Sequence, residues 1–381
     1  MALTEKLAAI GDAIRAKNGE TEKYTLDGMV TAIGAIETGG GGGGADVEPV
    51  VLTGACDYAC SGNIASTYMK NFGDKVSTNN ITGAASMFLN STLDRIPFEL
   101  NFSATGNSSM ANMFQNCEQL TEVPKINNVK PSSLNLLFCG CKRLRYLPED
   151  LGDSWDWSYI QSYNYGYMAN MFDDCFSLRK IPQSFLSNLW GVQTSSTYCP
   201  YKYIFSTCYA LDEVKGLPIQ KAKLTSNLFI SSFESCCRLK SLTFATNEDG
   251  TAQTAEWKSQ TIDLTSYIGF ITSFYVDNIL NYNSGITADK EVKDDATYQA
   301  LKNDADWFTK KIEYSRYNHD SAVNTINSLP DTSAYLASAG GTNTIKFKGA
   351  SGSLTDGGAI NTLTDTEIAV AAAKGWTVTF A

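Results

Sequence analysis

The stretch Ser109-Met-Ala-Asn-Met-Phe-Gln-Asn-Cys-Glu-Gln-Leu-Thr-Glu-Val-Pro124 returns, altered but recognisable, down the middle of the chain. Reduced to Phe-x-x-Cys-x-x-Leu-x-x-aliphatic, it occurs at Phe114/Cys117/Leu120/Val123 and Phe138/Cys141/Leu144/Leu147. It recurs at Phe172/Cys175/Leu178/Ile181, Phe205/Cys208/Leu211/Val214 and Phe233/Cys236/Leu239/Leu242. Successive phenylalanines are 24, 34, 33 and 28 residues apart, and a copy one residue short runs from Phe88 through Leu93 to Ile96-Pro97. A repeat of this length with a fixed apolar skeleton is the signature of a solenoid. No unit so small can bury its own apolar face, so each must stack on its neighbours.

Within a unit, Met110–Phe114 and Met168–Phe172 suit a short helix, and the leucine-to-aliphatic tail suits a short strand ended by proline. Helix, turn, strand and return loop make one coil, and stacked strands make a parallel sheet. The expected fold class is therefore α/β, a solenoid of about eight to ten coils, on the order of 40–50 Å long. Phe114, Phe138, Phe172, Phe205 and Phe233 are expected in its core. Five of the ten cysteines share one column. Strand spacing of about 5 Å is wider than the roughly 3.8 Å between Cβ atoms that a disulfide needs. A ladder of reduced thiols is expected, which fits a chain folded in a reducing cytoplasm. Cys236-Cys237 and Cys139/Cys141 are close in sequence, but one histidine and no Cys-x-x-Cys pair give no metal site.

Residues 1–38 read as a helical hairpin: Leu3, Leu7, Ile10 and Ile14 form one stripe, and Leu26, Met29, Val30 and Ile33 a second behind Thr25 as N-cap. Too small to stand alone, it is expected to be an attachment or oligomerisation module. Residues 39–46 carry six consecutive glycines and form a flexible linker. Residues 47–83 read as the N-terminal cap, 84–250 as the repeats, and 251–381 as degenerate repeats and closing coils. Thr261–Leu264 reads as a strand. Ser321–Leu329 leading to Thr344–Gly349, and Thr364–Lys374, capped by Asp365 or Thr364 and ended by Gly375, leading to Gly375–Phe380, read as helix–strand pairs.

The net charge is −10 and no basic run occurs, which points away from nucleic acid. The most apolar stretch, Ile262–Tyr282, is interrupted by Asp263 and Asp277, so no membrane span is expected. Met1-Ala-Leu-Thr-Glu-Lys-Leu7 does not read as a secretory signal.

The Met-Phe-x-x-Cys-x-x-Leu-x-x-Ile-Pro units resemble the BspA-type leucine-rich repeats of bacterial surface proteins and of phages, over roughly residues 84–245. Leu7-Ala-Ala-Ile-Gly-Asp-Ala-Ile-Arg-Ala-Lys-Asn-Gly19 with Tyr24-Thr-Leu-Asp-Gly-Met-Val-Thr-Ala-Ile33 is similar to a module at the start of phage tail and baseplate proteins. Ala371-Ala-Ala-Lys-Gly-Trp-Thr-Val-Thr-Phe380 looks like an ending shared by such proteins. The resemblance implies a virion component, assembled in the host cytoplasm, with residues 1–38 docking to a tail or baseplate protein. It supplies no catalytic residues.

Chemistry based on histidine has only His319, whose place before a predicted helix fits a capping or surface role. The six glycines are not followed by Lys-Ser/Thr and cradle no phosphate. Asp173-Asp174 and Asp294-Asp295 are carboxylate neighbours, yet sequence neighbours do not normally face each other across a glycosidic bond. No enzyme, cofactor or metal is expected.

The positive signal is aromatic. The two longest repeats carry Trp155, Trp157, Tyr159, Tyr163 and Tyr165, then Trp190, Tyr198 and Tyr201, among Ser, Asn and Gly. Rigid amphipathic rings beside adaptable polar groups suit a binding surface, and sugars stack on such rings. The alternative is that they pack the long return loops onto the coils. The leading expectation is a tail-tip or fibre-like receptor-binding protein, a homo-oligomer such as a trimer, recognising a bacterial surface glycan or protein. The alternatives are a purely structural capsid-fibre or baseplate component, or a bacterial surface adhesin.

Overall fold

The structure, a computed structural model, describes residues 50–62, 76–162, 168–189, 201–219, 223–236, 239, 241–265, 319–347 and 363–380. The expected helical hairpin and glycine linker, and the stretch 266–318, lie outside the described residues. In chain order the strands are β1 (Val50–Ala55), β2 (Val76–Gly83), β3 (Leu100–Asn101), β4 (Ser108–Ser109), β5 (Ile126–Asn127) and β6 (Pro131–Ser133). Helices α1 (Ser158–Ser162) and α2 (Gln183–Leu186) precede β7 (Glu213–Leu217), β8 (Ser241–Phe244) and β9 (Thr261–Leu264). Then come α3 (His319–Ser328), α4 (Ser333–Ala339), β10 (Asn343–Phe347), α5 (Asp365–Ala373) and β11 (Trp376–Phe380). The fold is mixed α/β. Every strand pairing is parallel, in small sheets β1–β2, β3–β5, β4–β6, β7–β8 and β9–β10–β11.

The segment before each phenylalanine is not the helix that its spacing suggests. It is a run of turns in which the residues two before and two after the central side chain have positive φ. The pairs are Ser86/Asn90 around Phe88, Asn112/Asn116 around Phe114, Leu136/Gly140 around Phe138 and Asn170/Asp174 around Phe172. Tyr203/Thr207 and Ser231/Ser235 flank Phe205 and Phe233, and Tyr58/Gly62 flank Cys60, which takes the phenylalanine's place in the first coil.

With a left-handed residue at every fourth position, every second N–H of the segment points along the stack. The N–H groups of Met110, Asn112, Phe114 and Asn116 donate to the carbonyls of Ser133, Asn135, Leu137 and Cys139 in the next coil at 3.0, 2.9, 3.0 and 2.7 Å. The intervening N–H groups stay within the coil, Met113 to Met110, Gln115 to Asn112 and Cys117 to Phe114. The carbonyls of Ala111, Met113 and Gln115 accept from Ser86, Phe88 and Asn90 of the coil before. Buried amides are thus satisfied only when a coil has neighbours.

Side chains follow the same order. The rings of Phe88, Phe114, Phe138, Phe172 and Phe205 lie parallel, with centroids 5.5, 5.4, 5.7 and 5.9 Å apart and interplanar angles of 8°, 2°, 9° and 9°. Phe233 continues the column at 5.9 Å, tilted by 30°. Each cysteine donates its S–H to the phenylalanine carbonyl of the previous coil: Cys117 to Phe88, Cys141 to Phe114, Cys175 to Phe138, Cys208 to Phe172 and Cys236 to Phe205, at 3.0–3.1 Å. The eight described cysteines are free and buried. Burial pushes the Cys117 thiol up to about 12, and Cys141, Cys175 and Cys208 well above the usual range, which keeps these thiols protonated as donors. In the short copy Ser91 fills the cysteine's place, buried, with its N–H on Phe88.

At the C-terminal end the expected strand Thr261–Leu264 and the two helix–strand pairs form as β9, α3 with β10, and α5 with β11. Thr364 and Glu367 make a reciprocal capping box at the start of α5, and Gly375 at φ 82° ends it. Helix α3 takes the position beside β8 that a further strand would fill. Its Thr325 hydroxyl donates to the Leu242 carbonyl, and its Ser328 hydroxyl accepts the Phe244 N–H at 3.0 Å. Two hydroxyls thereby replace a strand's ladder. Helices α3 and α5 are fastened at both ends: His319 meets Glu367 at 3.2 Å, and the Lys374 ammonium donates to the Ile326 and Asn327 carbonyls.

Replacing Phe138 by Ala opens a cavity in the middle of the ring column, with an expected loss of about 3–5 kcal/mol in denaturant unfolding. The contacts with Asp320 and then Glu367 raise the His319 pKa, whereas the Thr364 N–H and then His319 lower that of Glu367. The imidazolium's contribution is therefore complete below the ordinary value of about 6.5 and lost as pH rises through the higher folded value. The carboxylate's contribution is complete above its ordinary range and lost as pH falls through the lower folded value. Hydrogen exchange in α3 and α5, corrected for intrinsic rate, is expected to be slowest near pH 6 and faster at pH 8.5. His319→Gln should abolish that difference.

Candidate binding cleft

The structure buries three of the aromatic residues expected to bind ligand. Trp155 and Trp157 lie 5.1 Å apart, and both meet Phe185 edge-on at 5.8 and 5.5 Å; Phe185 touches Phe172 of the ring column at 6.3 Å. Their indole N–H groups donate to the carbonyls of Ile126 and Gly152 at 3.0 Å. The Tyr201 hydroxyl reaches the Leu189 and Pro218 carbonyls at 3.0 and 2.8 Å. All three are core residues with their polar ends spent on backbone. They pack the long return loops, which is the alternative that composition left open. Tyr159 is half-buried on α1, while Tyr163, Tyr165, Trp190 and Tyr198 lie outside the described residues.

What the fold does present is an open cleft of about 850 Å³ bounded by α2, β7, β8, the hairpin that follows β8, and α3. It lies where α3 interrupts the parallel ladder. The hairpin is tight: Thr246 and Ala252 bridge antiparallel, Asn247 donates its N–H to Thr251, and Gly250 sits at φ 80°. The Gln253 amide donates to the Thr246 carbonyl at 3.1 Å and holds the hairpin against the wall.

Beside the apolar Pro218, Ile219, Phe244 and Ala245, the lining carries amides and hydroxyls: Gln183 and Ser187 around α2, Ser241 and Thr243 on β8, Gln253, and Asn324 and Asn327 on α3. Among the described lining residues Lys215 alone carries a charge, and its ammonium is 2.5 Å from the Glu213 carboxylate. The Gly216 N–H donates to the Thr243 hydroxyl at 3.0 Å, leaving the hydroxyl's own proton for another acceptor. Gly216 suits its position by its backbone, and it lets Gln183 come close. Its φ is +66°, and a Cβ there would stand 2.5 Å from Nε2 of Gln183. The Gln183 amide therefore rests on bare backbone and is held over the cleft.

His319 is engaged with Asp320 and Glu367 and lines no part of the cleft. Asp173 and Asp174 are half-buried in the stack; burial raises both their pKa values, opposed at Asp173 by hydrogen bonds from Asn170 and Ser206. Among the described residues no group of three or more His, Cys, Asp or Glu side chains could hold a metal ion, and no helix is long and apolar enough to cross a membrane. No sequence motif marks Gln183, Gln253, Asn324 or Asn327. The one trace in the sequence is that the repeat degenerates in the segment from residue 251 onward. No family model matches the chain, nor does any curated protein or solved structure.

Gly216→Ala is expected to lower stability by about 1 kcal/mol through its left-handed backbone and to displace the Gln183 amide. A shift of the Gln183 side-chain NH₂ resonances, with the other cleft signals unmoved, checks it.

Proposed function

We propose that the stacked coils are a leucine-rich-repeat solenoid of BspA type, and that the chain is a receptor-binding protein of a phage tail tip or fibre recognising a bacterial surface glycan or protein. Residues 1–38 would dock it to a tail or baseplate protein, as a trimer, across the glycine linker. Several heads on pliable tethers gain avidity without tight individual sites.

The observation that carries the binding reading is the cleft: uncharged polar side chains from α2, β8 and α3 converge on it, and its described lining residues include no acid–base pair. Such a surface holds a ligand by hydrogen bonds and leaves it chemically unchanged, so we read the protein as a binder and not an enzyme. The resemblance of the repeat and of both chain ends to phage proteins supports the placement on a virion.

Full-length purified protein, added to host cells before phage, is expected to slow phage adsorption in proportion to its own occupancy of the cells. Virion incorporation with no binding to cells would make the chain a structural component instead.

A further inference from the structure

We propose that the cleft between α2, β7, β8 and α3 binds an uncharged saccharide chain, held by amide and hydroxyl side chains rather than by aromatic stacking. This rests on the reading of the protein as a binder and names the ligand class of that site.

The chemistry of the lining selects among ligand classes. An anionic polymer needs a cation not already neutralised. Lys215 is paired with Glu213, and the chain as a whole carries −10, which repels polyanions. A cationic ligand needs a carboxylate, and the described lining residues include none. A peptide or lipid needs apolar anchor pockets, yet of the apolar lining residues Pro218, Ile219 and Phe244 are buried in the wall, and the half-buried Ala245 is too small to form such a pocket. What fits is a ligand with many hydroxyls, each able to donate and accept. Primary amides and hydroxyls offer both functions from one side chain, and Gln183, Gln253, Asn324, Asn327, Ser241 and Thr243 supply them. The cleft is open to solvent, so a polymer can lie along it without threading.

Two further details converge on the same face. Asn324 and Asn327 are exposed and three residues apart on α3, so they present their amides side by side. Asparagine is a poorer helix former than alanine, and it is the backbone carbonyl of Asn327, not its amide, that accepts from Lys374. Helix stability does not ask for these two residues. Gln183, in turn, lies against the bare backbone of Gly216, where a Cβ would crowd it.

The test uses the full-length protein on an array of bacterial surface glycans, neutral and anionic, at 0.15 and about 0.5 M NaCl, beside Asn324→Ala/Asn327→Ala and Gln183→Ala. Wild type should be retained by one or more neutral glycans, with less than about a twofold change between the two salts because no ion pair is involved. The double variant should bind about tenfold or more weakly while its melting temperature stays the same or rises. Retention by no neutral glycan, retention by anionic glycans alone, loss of binding at high salt, or unchanged binding by the double variant would each overturn the proposal. Binding to host cells without retention on any glycan makes the receptor a protein; it overturns this inference and leaves the receptor-binding reading standing. Glycan retention without any effect on phage adsorption does the reverse.

Discussion

Everything in this structure depends on where the backbone N–H groups of the turn segments go. In a helix they would be satisfied within the segment, and a unit could in principle stand by itself. Here two residues per segment, four apart, are left-handed, and alternate N–H groups aim out of the coil and find carbonyls only on the next one. A coil without neighbours would carry a row of unpaired donors on one side and unpaired acceptors on the other, each costly to bury. The parallel order, the common rise and the need for ends of a different kind all follow. The phenylalanine rings, 5.4–5.9 Å apart, are set face to face by the same rise, and the cysteine thiols lie where an S–H can reach the carbonyl of the coil before. This explains a cysteine column without disulfides: the residue is small, apolar and still a donor.

The left-handed positions carry their own cost, about 1–2 kcal/mol for residues with a Cβ. Asparagine fills several of them, as at Asn90, Asn112, Asn116 and Asn170, and its side chain turns the position to use: the Asn116 amide donates to Asn90 at 3.1 Å and the Asn170 amide to Asp173 at 2.9 Å. Gly140 follows Asn116 in that column, because a Cβ there would stand 2.4 Å from the Asn116 amide oxygen. Thr207 uses its hydroxyl on Asp174 of the coil before, whereas Leu136 and Tyr203 occupy the same positions without such compensation from their residue type, and stacking holds them there.

Regularity ends at β8. Helix α3 satisfies the strand's outer edge with two hydroxyls, and the parallel ladder resumes with β9, β10 and β11. A helix is thicker than a strand, so the walls on either side separate and an open cleft results. A chain that keeps local rules strictly for several repeats and then departs from them at one place marks that place as one with a different task. It is also where neutral polar side chains converge, while charged side chains pair from coil to coil elsewhere, as with Lys142 and Glu118 or Lys180 and Glu149.

The sequence by itself determined the column of Phe88 to Phe233, the reduced cysteine ladder, the strand Thr261–Leu264 and the capped helix ending at Gly375. Each of these is written in a fixed spacing or a local cap. It did not determine the backbone of Met110–Phe114, because apolar residues at that spacing suit a helix as well as stacked turns, and the choice is made by hydrogen bonds to a coil more than twenty residues away. Nor did it tell which side of the chain Trp155, Trp157 and Tyr201 face, since an aromatic ring with a polar end serves a core and a surface equally. The cleft was invisible for the plainest reason. The hydroxyl of Ser328 meets the N–H of Phe244 across 84 residues of chain, and only the folded stack brings α3 against β8.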